Sequence, residues 1–540
     1  MKNLMVQPTR CLLVQPRFSG HSFWNYKEVC ELVGAKYPAA PLGLMTVAAL
    51  LPEHWDLRLV DENVRPLADD DLDQADIVLV SSMLPQQKGA LAVIQRAHDR
   101  RTPVVAGGPD VTAQPQLYSS ADFLVLGEGE VTIPLFIEDL HKQATSGVYQ
   151  CVVRADMTEA VIPRFDLIRF ADYMHVGVQF CRGCPFNCEF CDIIELFGRT
   201  PRSKTPEQTV AELQRLYDLG YRGHVDFVDD NFIANKKEVI DVLEAIRDWS
   251  RRHHYPFYFS TEASVNLARE DKLLGLMREN DFRYVFVGFE SPDEEVLAQT
   301  QKRQNKGVSA VDAVRTLNAH GMIVNGGFIL GFDGETENTA ANMVDMIQDA
   351  GICMAMVGTL TALPNTQLSR RLKREGRLFW GGQARVQDAS DIDQTTNGLN
   401  FATERPRAAI LRDYVDIVRR IYDRDAYYER VLMTALQLKP AQKAHLGFIQ
   451  TLELARGFLK LSAKAGFDHR TGRLYWLTLG NVLLRNPHAI EAAVNLAAMY
   501  VHFSEQSAFV IRTLERRIAE VEHCGETNYN QLMIEGQEAC

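Results

Sequence analysis

Four cysteines crowd into one short stretch of this 540-residue chain, at Cys181, Cys184, Cys188 and Cys191. The last three have the spacing Cys-x3-Cys-x2-Cys. Three thiolates on one loop can hold three irons of a [4Fe–4S] cluster and leave the fourth iron open. An open iron can chelate the amino and carboxylate groups of S-adenosylmethionine, and an electron from the cluster then breaks the sulfonium bond. The product is a 5′-deoxyadenosyl radical, which abstracts hydrogen from unactivated C–H bonds.

Other sites built from clustered cysteines fit this stretch less well. A zinc ribbon would pair Cys181 with Cys184 and Cys188 with Cys191, but such pairs normally lie more than about ten residues apart. Only three residues separate the two pairs here. A redox-active Cys-x-x-Cys motif normally lacks two more cysteines close by. A purely structural cluster, with Cys181 as its fourth ligand, stays open as an alternative.

The composition narrows the class of protein. The net charge is −12 and no long basic run appears, so nothing indicates a nucleic-acid binder. The N-terminus lacks the apolar core of a secretory signal, and no apolar stretch is long enough to predict a membrane-spanning helix. The remaining cysteines are scattered, unlike a disulfide framework. We therefore expect a cytoplasmic protein of two or three domains, and peripheral membrane contact stays open.

The first part of the chain predicts a doubly wound α/β domain over residues 1–145. Five short apolar runs each end in polar or glycine residues, as buried parallel strands with ligand-binding loops at their carboxyl ends do. Helical patterns such as Gln87–Arg100 separate these runs. The predicted strands are Cys11–Gln15, Leu57–Val60, Ile77–Val80, Pro103–Ala106 and Phe123–Leu126.

A linker over residues 146–174 precedes six further strand–helix units, which predict a partial, open (β/α)6 barrel over residues 175–404. The sequence Thr205-Pro-Glu-Gln208 predicts the start of a helix, because threonine caps, proline fits the first turn and glutamine completes a capping box. The predicted barrel strands are Val176–Phe180, His224–Val228, Phe257–Thr261, Tyr284–Phe289, Ile323–Leu330 and Met354–Leu360.

From residue 405 onward the pattern is helical. Ala408–Tyr427 and His488–Ile518 are amphipathic and rich in charge, which indicates helices that bury one face. Residues 405–540 are therefore predicted to form an all-α domain, and no motif in it indicates a chemistry. The fold class expected for the whole chain is α/β, with two α/β domains followed by helices.

The cysteine loop and the strands around it resemble the radical S-adenosylmethionine superfamily over residues 175–370. The resemblance implies that Cys184, Cys188 and Cys191 ligate the cluster while Cys181 is a bystander. Phe190 is similar to the family's aromatic residue near the adenine. These four residues make the loop the centre of the predicted site.

Two strand ends carry the rest of this resemblance. Gly288-Phe289-Glu290 is similar to the Gly-Gly-Glu element that binds the methionine amino group, with Phe289 in place of the middle glycine. Gly327-Phe-Ile329-Leu-Gly331 is similar to the G-x-I-x-G element beside the adenine, which implies Ile329 and Gly331 in the same site. Glu335 lies one position beyond the place of the family's acidic residue, and a helix cap is the alternative interpretation of it.

Polar residues at other barrel strand ends stand where ribose or substrate ligands are expected. Glu262 follows the third strand and is predicted as a ligand of S-adenosylmethionine. Asp229 and Asn231 follow the second strand, and a solvated or capping role is the alternative for all three residues. Arg199 and Arg202 follow the cysteine loop, where they hold either an anionic ligand or a surface ion pair.

The N-terminal domain resembles the cobalamin-binding fold. That fold often carries D-x-H-x-x-G, S-x-L and G-G after its first, third and fourth strands, and this chain has Gln15-Pro-Arg17-Phe-Ser-Gly20, Ser82-Met-Leu84 and Gly107-Gly108 there. Gly127-Glu128-Gly129-Glu130 follows the fifth strand. Arg17 stands in place of the cobalt-ligating histidine and offers no lone pair to cobalt. The resemblance therefore implies cobalamin without a histidine ligand, since His21 is out of register. The implied contacts are Gln15, Arg17, Ser82, Leu84, Gly107, Gly108, Glu128 and Gly129.

Together the two domains resemble the cobalamin-dependent class of radical S-adenosylmethionine enzymes. Phe227–Phe232, Gly198–Ser203 and Leu372–Leu378 are similar to the broad subgroup that includes hopanoid C-2 methylases. The resemblance implies a C-methyltransferase that uses a [4Fe–4S] cluster, S-adenosylmethionine and cobalamin. It also implies a small-molecule or lipid substrate and an electron donor such as flavodoxin or ferredoxin. The alternatives are a cobalamin-dependent cyclase or ring-remodelling enzyme without methyl transfer and, from another class, an iron–sulfur redox sensor or partner-binding protein.

Overall fold

A computed structural model of the protein describes residues 9–18, 22–380, 395–441 and 448–537. The N-terminal part alternates strands and helices, as the apolar runs predict. The strands are β1 (Arg10–Gln15), β2 (Tyr37–Ala39), β3 (Asp56–Asp61), β4 (Ile77–Ser81), β5 (Val104–Gly107), β6 (Phe123–Leu126) and β7 (Gly147–Gln150). The helices are α1 (Lys27–Val33), α2 (Leu42–Leu50), α3 (Asp69–Gln74), α4 (Gln87–His98), α5 (Pro109–Ala113) and α6 (Gly129–His141).

Six of these strands form one parallel sheet in the order β3-β1-β4-β5-β6-β7. Separate apolar clusters cover its two faces, as expected of a doubly wound sheet. The strand order reverses between β1 and β4. In folds of this kind ligands bind outside the carboxyl ends of the strands at that reversal. Gln15 ends β1 and Ser81 ends β4, so both lie at this edge.

Two elements depart from the expected N-terminal arrangement. The segment 146–174, predicted as a linker, begins with β7, which adds a strand to the sheet beside β6. Strand β2, which the sequence analysis missed, pairs in parallel with the first barrel strand, with Tyr37 opposite Tyr173 and Ala39 opposite His175. A strand of three residues carries too little period to be recognised in a sequence.

The middle of the chain is an open barrel of parallel strands, as predicted. Its strands run in the order β15-β14-β13-β12-β11-β8, and β2 extends the sheet beyond β8. A small antiparallel pair, β9 with β10, lies outside the barrel sheet. The strands are β8 (Tyr173–Val178), β9 (Cys181–Arg182), β10 (Arg202–Ser203), β11 (Gly223–Phe227), β12 (Phe257–Glu262), β13 (Phe282–Glu290), β14 (Ile323–Leu330) and β15 (Met354–Thr359).

The barrel helices follow their strands. Helix α8 begins as the sequence predicts, because Thr205 Oγ1 accepts from the Gln208 amide at 3.2 Å and Gln208 Oε1 accepts from the Thr205 amide at 2.8 Å. The helices are α7 (Ile193–Leu196), α8 (Pro206–Asp218), α9 (Lys236–Arg252), α10 (Asp271–Glu279), α11 (Glu294–Gln299), α12 (Ala310–Ala319), α13 (Thr339–Ala350) and α14 (Gln367–Arg374).

The C-terminal part is helical and shares one apolar core with the barrel. The predicted helix over Ala408–Tyr427 is in fact two helices, because the Asp423 carboxylate accepts from the amides of Asp425 and Ala426 and starts a second helix there. The helices are α15 (Arg407–Ile421), α16 (Arg424–Gln437), α17 (Phe448–Leu461), α18 (Gly472–Arg485), α19 (Ile490–Cys524) and α20 (Glu526–Glu535). Among the described residues, no helix is long and apolar enough to span a membrane.

Candidate active site

The cysteine loop leaves the carboxyl end of β8. Cys184, Cys188 and Cys191 lie between β9 and α7. The Cys184 amide donates to the Gly198 carbonyl at 3.2 Å, and the Cys191 amide donates to the Cys188 carbonyl at 3.3 Å. Burial raises the pKa of the Cys184 and Cys191 thiols, and the neighbouring Cys188 adds to both shifts. Ligation would therefore displace protons from these thiols, as metal binding to thiols does.

Cys181 differs from the other three cysteines. It lies on β9, opposite Ser203 of β10, and its side chain is part of the apolar core with 2% exposure. Its thiol donates to the Arg182 carbonyl at 3.8 Å. Within the described part of the chain, no three His, Cys, Asp or Glu side chains converge as ligands of one metal ion would. Three thiols spread along one loop fit a cluster that binds each thiol to a different iron.

Lys302, which the sequence analysis missed, lies beside this loop. Its ammonium nitrogen is 2.7 Å from Glu290 Oε1 and 5.9 Å from the centroid of the Phe190 ring. Burial opposes the charge on Lys302, but Glu290 and Cys188 outweigh it and raise the pKa of the ammonium. The predicted cluster ligands therefore have a fixed cation next to them. Lys302 stands in an ordinary polar run of the sequence, which gives no signal of this position.

The Gly288-Phe289-Glu290 element ends strand β13 and faces the cysteine loop. A Cβ on Gly288 would lie 2.3 Å from Glu290 Oε1, so glycine leaves the space into which the carboxylate folds. The Asn305 amide group holds this strand end, because Nδ2 donates to the carbonyls of Gly288 at 2.8 Å and Phe289 at 2.9 Å. Phe289 is buried against Phe328, with ring centroids 5.7 Å apart. The middle position of the element therefore serves the core through its side chain.

The end of β14 forms a tight turn at Gly331. Its φ is +97° and a Cβ would lie 2.4 Å from Leu399 Cδ2, so only glycine fits. Ile329 is half-buried on the same strand. Glu335 Oε1 accepts from the amides of Gly331 at 2.8 Å and Phe332 at 3.2 Å, and burial raises the pKa of Glu335 to about 7. The interpretation of Glu335 as a helix cap is therefore wrong, because the carboxylate closes the turn instead.

Asp229 and Asn231 support the loops around the site. Asp229 accepts from the Phe180 amide at 3.2 Å and from the Cys181 amide, and it is 1% exposed. Burial raises the pKa of Asp229 to about 8. Asn231 Oδ1 accepts from the Ser264 amide at 3.1 Å. Both side chains therefore hold backbone amides of neighbouring loops, and their roles as ribose or substrate ligands stay predictions.

Glu262 ends β12 and lines a large cavity. Glu262 is exposed to the cavity, and desolvation by the enclosing protein, together with the nearby carboxylates of Asp230 and Asp226, raises its pKa to about 8. Asp230 has a buried carboxylate oxygen without a hydrogen-bond partner among the described residues. Burial and Asp192 raise the pKa of Asp230 to about 7. The carboxyl end of the barrel thus holds carboxylates that a cationic ligand such as a sulfonium would stabilise in their charged form.

The glycine pair after β5 shapes the edge of the N-terminal sheet. Gly108 has φ +102°, and a Cβ there would lie 2.8 Å from Ser81 Oγ. Ser82 is buried and its hydroxyl accepts from Tyr118 OH at 2.9 Å. Gly107 ends β5 itself. Serine atoms fill the space of a Cβ on Gly108, so this turn requires glycine, and the contact of the pair with cobalamin stays a prediction.

The other residues predicted to contact cobalamin spread around that edge. Gln15 lines the cavity, Leu84 is half-buried, and Gly129 is the first residue of α6. Arg17 is exposed at the end of the described loop. His21 lies outside the described residues. Cobalamin without a histidine ligand therefore stays a prediction.

The contact of Glu128 with cobalamin stays a prediction, and in the structure its side chain forms ion pairs with two arginines. Its carboxylate accepts from Arg202 Nη2 at 2.7 Å and from Arg182 Nη1 at 3.2 Å, while Glu130 Oε1 lies 2.6 Å from Arg182 Nη2. Arg182 and Arg202 belong to β9 and β10 beside the cysteine loop. Arg202 therefore forms an interdomain ion pair, whereas Arg199 donates to the Pro185 carbonyl at 3.1 Å.

One cavity of about 1540 Å³ connects all three parts of the chain. Ser81 and Pro109 line it from the cobalamin side, Glu262 from the barrel and Met499 from α19. Most of its surface is apolar. Its aromatic residues include Phe18, Trp24, Tyr37, Tyr258, Phe286 and Phe458.

Comparisons with known proteins agree with this geometry. Residues 178–347 match the radical SAM superfamily and residues 32–137 match the B12 binding domain. The chain is 39% identical over 514 residues to an uncharacterized methyltransferase of Synechocystis sp., covering 95% of this chain and 94% of that protein. The chain belongs to the cobalamin-dependent radical S-adenosylmethionine enzymes. The enzyme therefore uses a [4Fe–4S] cluster, S-adenosylmethionine and cobalamin.

Further comparisons cover most of the enzyme. The hopanoid C-2 methylase of Rhodopseudomonas palustris is 38% identical over 428 residues, which is 78% of each chain. The methyltransferase TsrM of Kitasatospora setae shares the fold at a TM-score of 0.60 and 14% identity, covering 85% of this chain and 99% of that one. The cobalamin-dependent enzyme OxsB has a TM-score of 0.57 at 16% identity, covering 98% and 84%. Residues 366–516 match a domain of unknown function.

Proposed function

We propose that the enzyme is a C-methyltransferase that acts on an unactivated carbon of a bulky, mostly apolar substrate. The observation that carries this proposal is one large cavity, lined by the edge of the N-terminal sheet, by the barrel interior up to Glu262 and by the C-terminal helices. A methyl group and a hydrogen-abstracting radical must reach the same carbon, so both cofactors need access to one chamber. An apolar lining suits a hydrocarbon and excludes water, which limits side reactions of reactive intermediates.

The cofactors supply the radical and the methyl group, and the protein supplies binding and orientation. Cys184, Cys188 and Cys191 hold the cluster. Lys302 provides a positive charge next to the thiolates, and the Glu290 side chain and the backbone of Gly288 face the same loop. The interdomain ion pairs of Glu128 fix the N-terminal sheet against this loop. A fixed orientation of the reactive groups lowers the barrier to their reaction.

The names of the relatives support methyl transfer and a lipid substrate. Two relatives that cover most of the chain are named as methyltransferase and hopanoid C-2 methylase. A polycyclic lipid therefore comes first among the substrates to test. The need for an external electron implies a flavodoxin or ferredoxin as the donor, in agreement with a cytoplasmic enzyme.

The test is anaerobic reconstitution with iron, sulfide and cobalamin, followed by turnover with a chemical reductant and S-adenosylmethionine deuterated in its methyl group. We expect 5′-deoxyadenosine and S-adenosylhomocysteine in equal amounts and a deuterated methyl group in an added pentacyclic lipid. A cyclase would form 5′-deoxyadenosine without S-adenosylhomocysteine, and a redox sensor would cleave no S-adenosylmethionine. A holoenzyme that retains no cobalamin would also contradict the proposal.

A further inference from the structure

Polar side chains line the interior of the barrel below the carboxyl end. The strand register aligns Asp226 with Ser260, and Ser260 with Tyr284. His224 and Tyr258 are paired two residues earlier on the same strands. All five side chains line the cavity. Polar residues on several neighbouring strands at the same depth, within an otherwise apolar chamber, indicate a place for a polar part of a ligand.

Hydrogen bonds fix the proton positions in this group. The Ser260 hydroxyl donates to Asp226 Oδ1, and it lies 2.6 Å from His224 Nε2. Serine has one proton to donate, so Nε2 of His224 must donate to Ser260. Nδ1 of His224 is therefore an acceptor. Burial lowers the pKa of His224 well below its ordinary value, and His175 and Arg283 lower it further, so the imidazole is neutral.

Two buried atoms near this group lack hydrogen-bond partners among the described residues, namely His175 Nδ1 and Asn325 Oδ1. Both residues line the cavity, and the His175 ring centroid lies 5.0 Å from that of His224. Burial lowers the pKa of His175 as well. Buried polar atoms in proteins are normally satisfied, by water or a ligand where protein offers nothing. The interior thus has free hydrogen-bonding capacity.

The charges around the group select for a neutral ligand. The Asp226 carboxylate repels an anion. Arg283 lies with its guanidinium 4.3 Å from the Tyr258 ring and opposes a second cation, and it is itself paired with Asp281 and Glu491. A hydroxyl group can donate to Asp226 or His224 Nδ1 and accept from Tyr258, whose pKa burial raises so that it keeps its proton.

We propose that Asp226, Ser260 and His224 form a subsite for a neutral hydroxylated group of the substrate. This inference deepens the proposed function and rests on it: the substrate is an amphiphile with an apolar body. Tyr258, Ser260 and Glu262 alternate on the cavity face of β12. At about 3.3 Å per residue, Ser260 is about 7 Å and Tyr258 about 13 Å below Glu262. The hydroxyl therefore binds on the order of 7–13 Å from the carboxyl end, where the cysteine loop lies.

The test is calorimetric titration of the reconstituted holoenzyme, without reductant, using decane-1,2-diol, decanoate and decylamine as probes. We expect the diol to bind at least tenfold more tightly than decanoate or decylamine. Asp226→Asn removes the repulsion, so it should raise decanoate affinity several-fold while Ser260→Ala weakens diol binding about tenfold. Asp241→Asn, the same change at an exposed position on α9 outside the cavity, is the matched control and should bind the diol as the unaltered enzyme does.

Equal binding of diol and decanoate, tighter binding of decylamine, absence of diol binding, or an Asp226→Asn variant with unchanged selectivity would each overturn the subsite. A gain of decanoate affinity cannot come from a misfolded variant, so this readout is independent of loss of structure. The titration involves no turnover. Methyl transfer to a lipid without any hydroxyl would contradict the proposed subsite but would still support the proposed function.

Discussion

Glu128 immediately precedes α6 of the N-terminal domain. Its carboxylate lies 2.7 Å from the guanidinium of Arg202 beside the cysteine loop. Both side chains are largely buried, and Arg182 makes a second contact to the same carboxylate. Removing one partner of a buried ion pair destabilises the protein, because the other charge is left buried without compensation. The two cofactor-carrying parts of the enzyme are thus held together next to the site of chemistry.

We expect Glu128→Gln to uncouple the two cofactors. The amide keeps the shape but loses the charge, so the N-terminal sheet is held less firmly against the barrel. The ratio of 5′-deoxyadenosine to S-adenosylhomocysteine should rise at least threefold, while iron content stays normal. Glu138→Gln removes a surface partner of Lys142 and is the control, since such pairs contribute little. An unchanged product ratio in the Glu128 variant would show that the pair is structural only.

Replacing the cysteines one at a time should separate Cys181 from the others. Alanine at Cys184, Cys188 or Cys191 should abolish the cluster, measured as iron per chain and by electron paramagnetic resonance. Cys181→Ala should keep a full cluster, because its thiol lies in the core, and should lower the free energy of unfolding by about 1 kcal/mol. Loss of iron in the Cys181 variant at unchanged fold would instead support a four-cysteine structural cluster.

Removing the charge of Lys302 should change the reduction potential of the cluster. Cys188 and Cys191 lie close enough to Lys302 to raise the pKa of its ammonium group. Without it, adding an electron is harder, and Lys302→Met should lower the potential by on the order of 50–100 mV. A redox titration followed by electron paramagnetic resonance measures the shift. Lys306→Met, at an exposed position nearby, should leave the potential unchanged.

The stability of the cofactor-free chain should depend on pH through Asp229. Burial raises the pKa of Asp229 to about 8, so the folded chain keeps a proton that the unfolded chain releases near pH 4. The free energy of unfolding therefore falls as pH rises between about 4 and 8, by at most ~1.4 kcal/mol per pH unit for this one proton.

Asp229→Asn should remove this part of the slope. Urea unfolding at pH 5 and pH 8 should find the variant more destabilised, relative to the unaltered chain, at pH 5 than at pH 8. Asp241→Asn, at an exposed position on α9, should leave the slope unchanged. Equal destabilisation at both pH values would mean that Asp229 is ionised in the folded chain.

Strong local patterns made most strands predictable. Phe123–Leu126 and Ile323–Leu330 agree residue for residue with the structure, because runs that are largely apolar and followed by glycine mark buried parallel strands. The loop of three cysteines was equally plain, since its spacing is a property of the sequence alone. Strand β2 was missed because three residues show no period. Its pairing depends on tertiary contacts that no local pattern reports.

The side chains that position the site were harder to predict. Glu128 was expected to contact cobalamin because it stands in a glycine-rich turn, but two arginines far along the chain determine where its carboxylate points. Lys302 gave no signal for the same reason, since its importance comes from Glu290 and the cysteine loop. Long-range ion pairs depend on the fold as a whole, so spacing along the chain does not reveal them.

The pairing of β2 with β8 limits how this enzyme can be rebuilt from parts. A chimera that takes residues 1–145 from another protein would replace a strand of the barrel's own sheet, and a truncation there would expose the edge of β8. An open strand edge invites pairing with other chains and aggregation. Exchange of the cobalamin-binding module should therefore succeed only when the donor's counterpart of Tyr37–Ala39 matches the recipient barrel, or when that segment stays with the barrel.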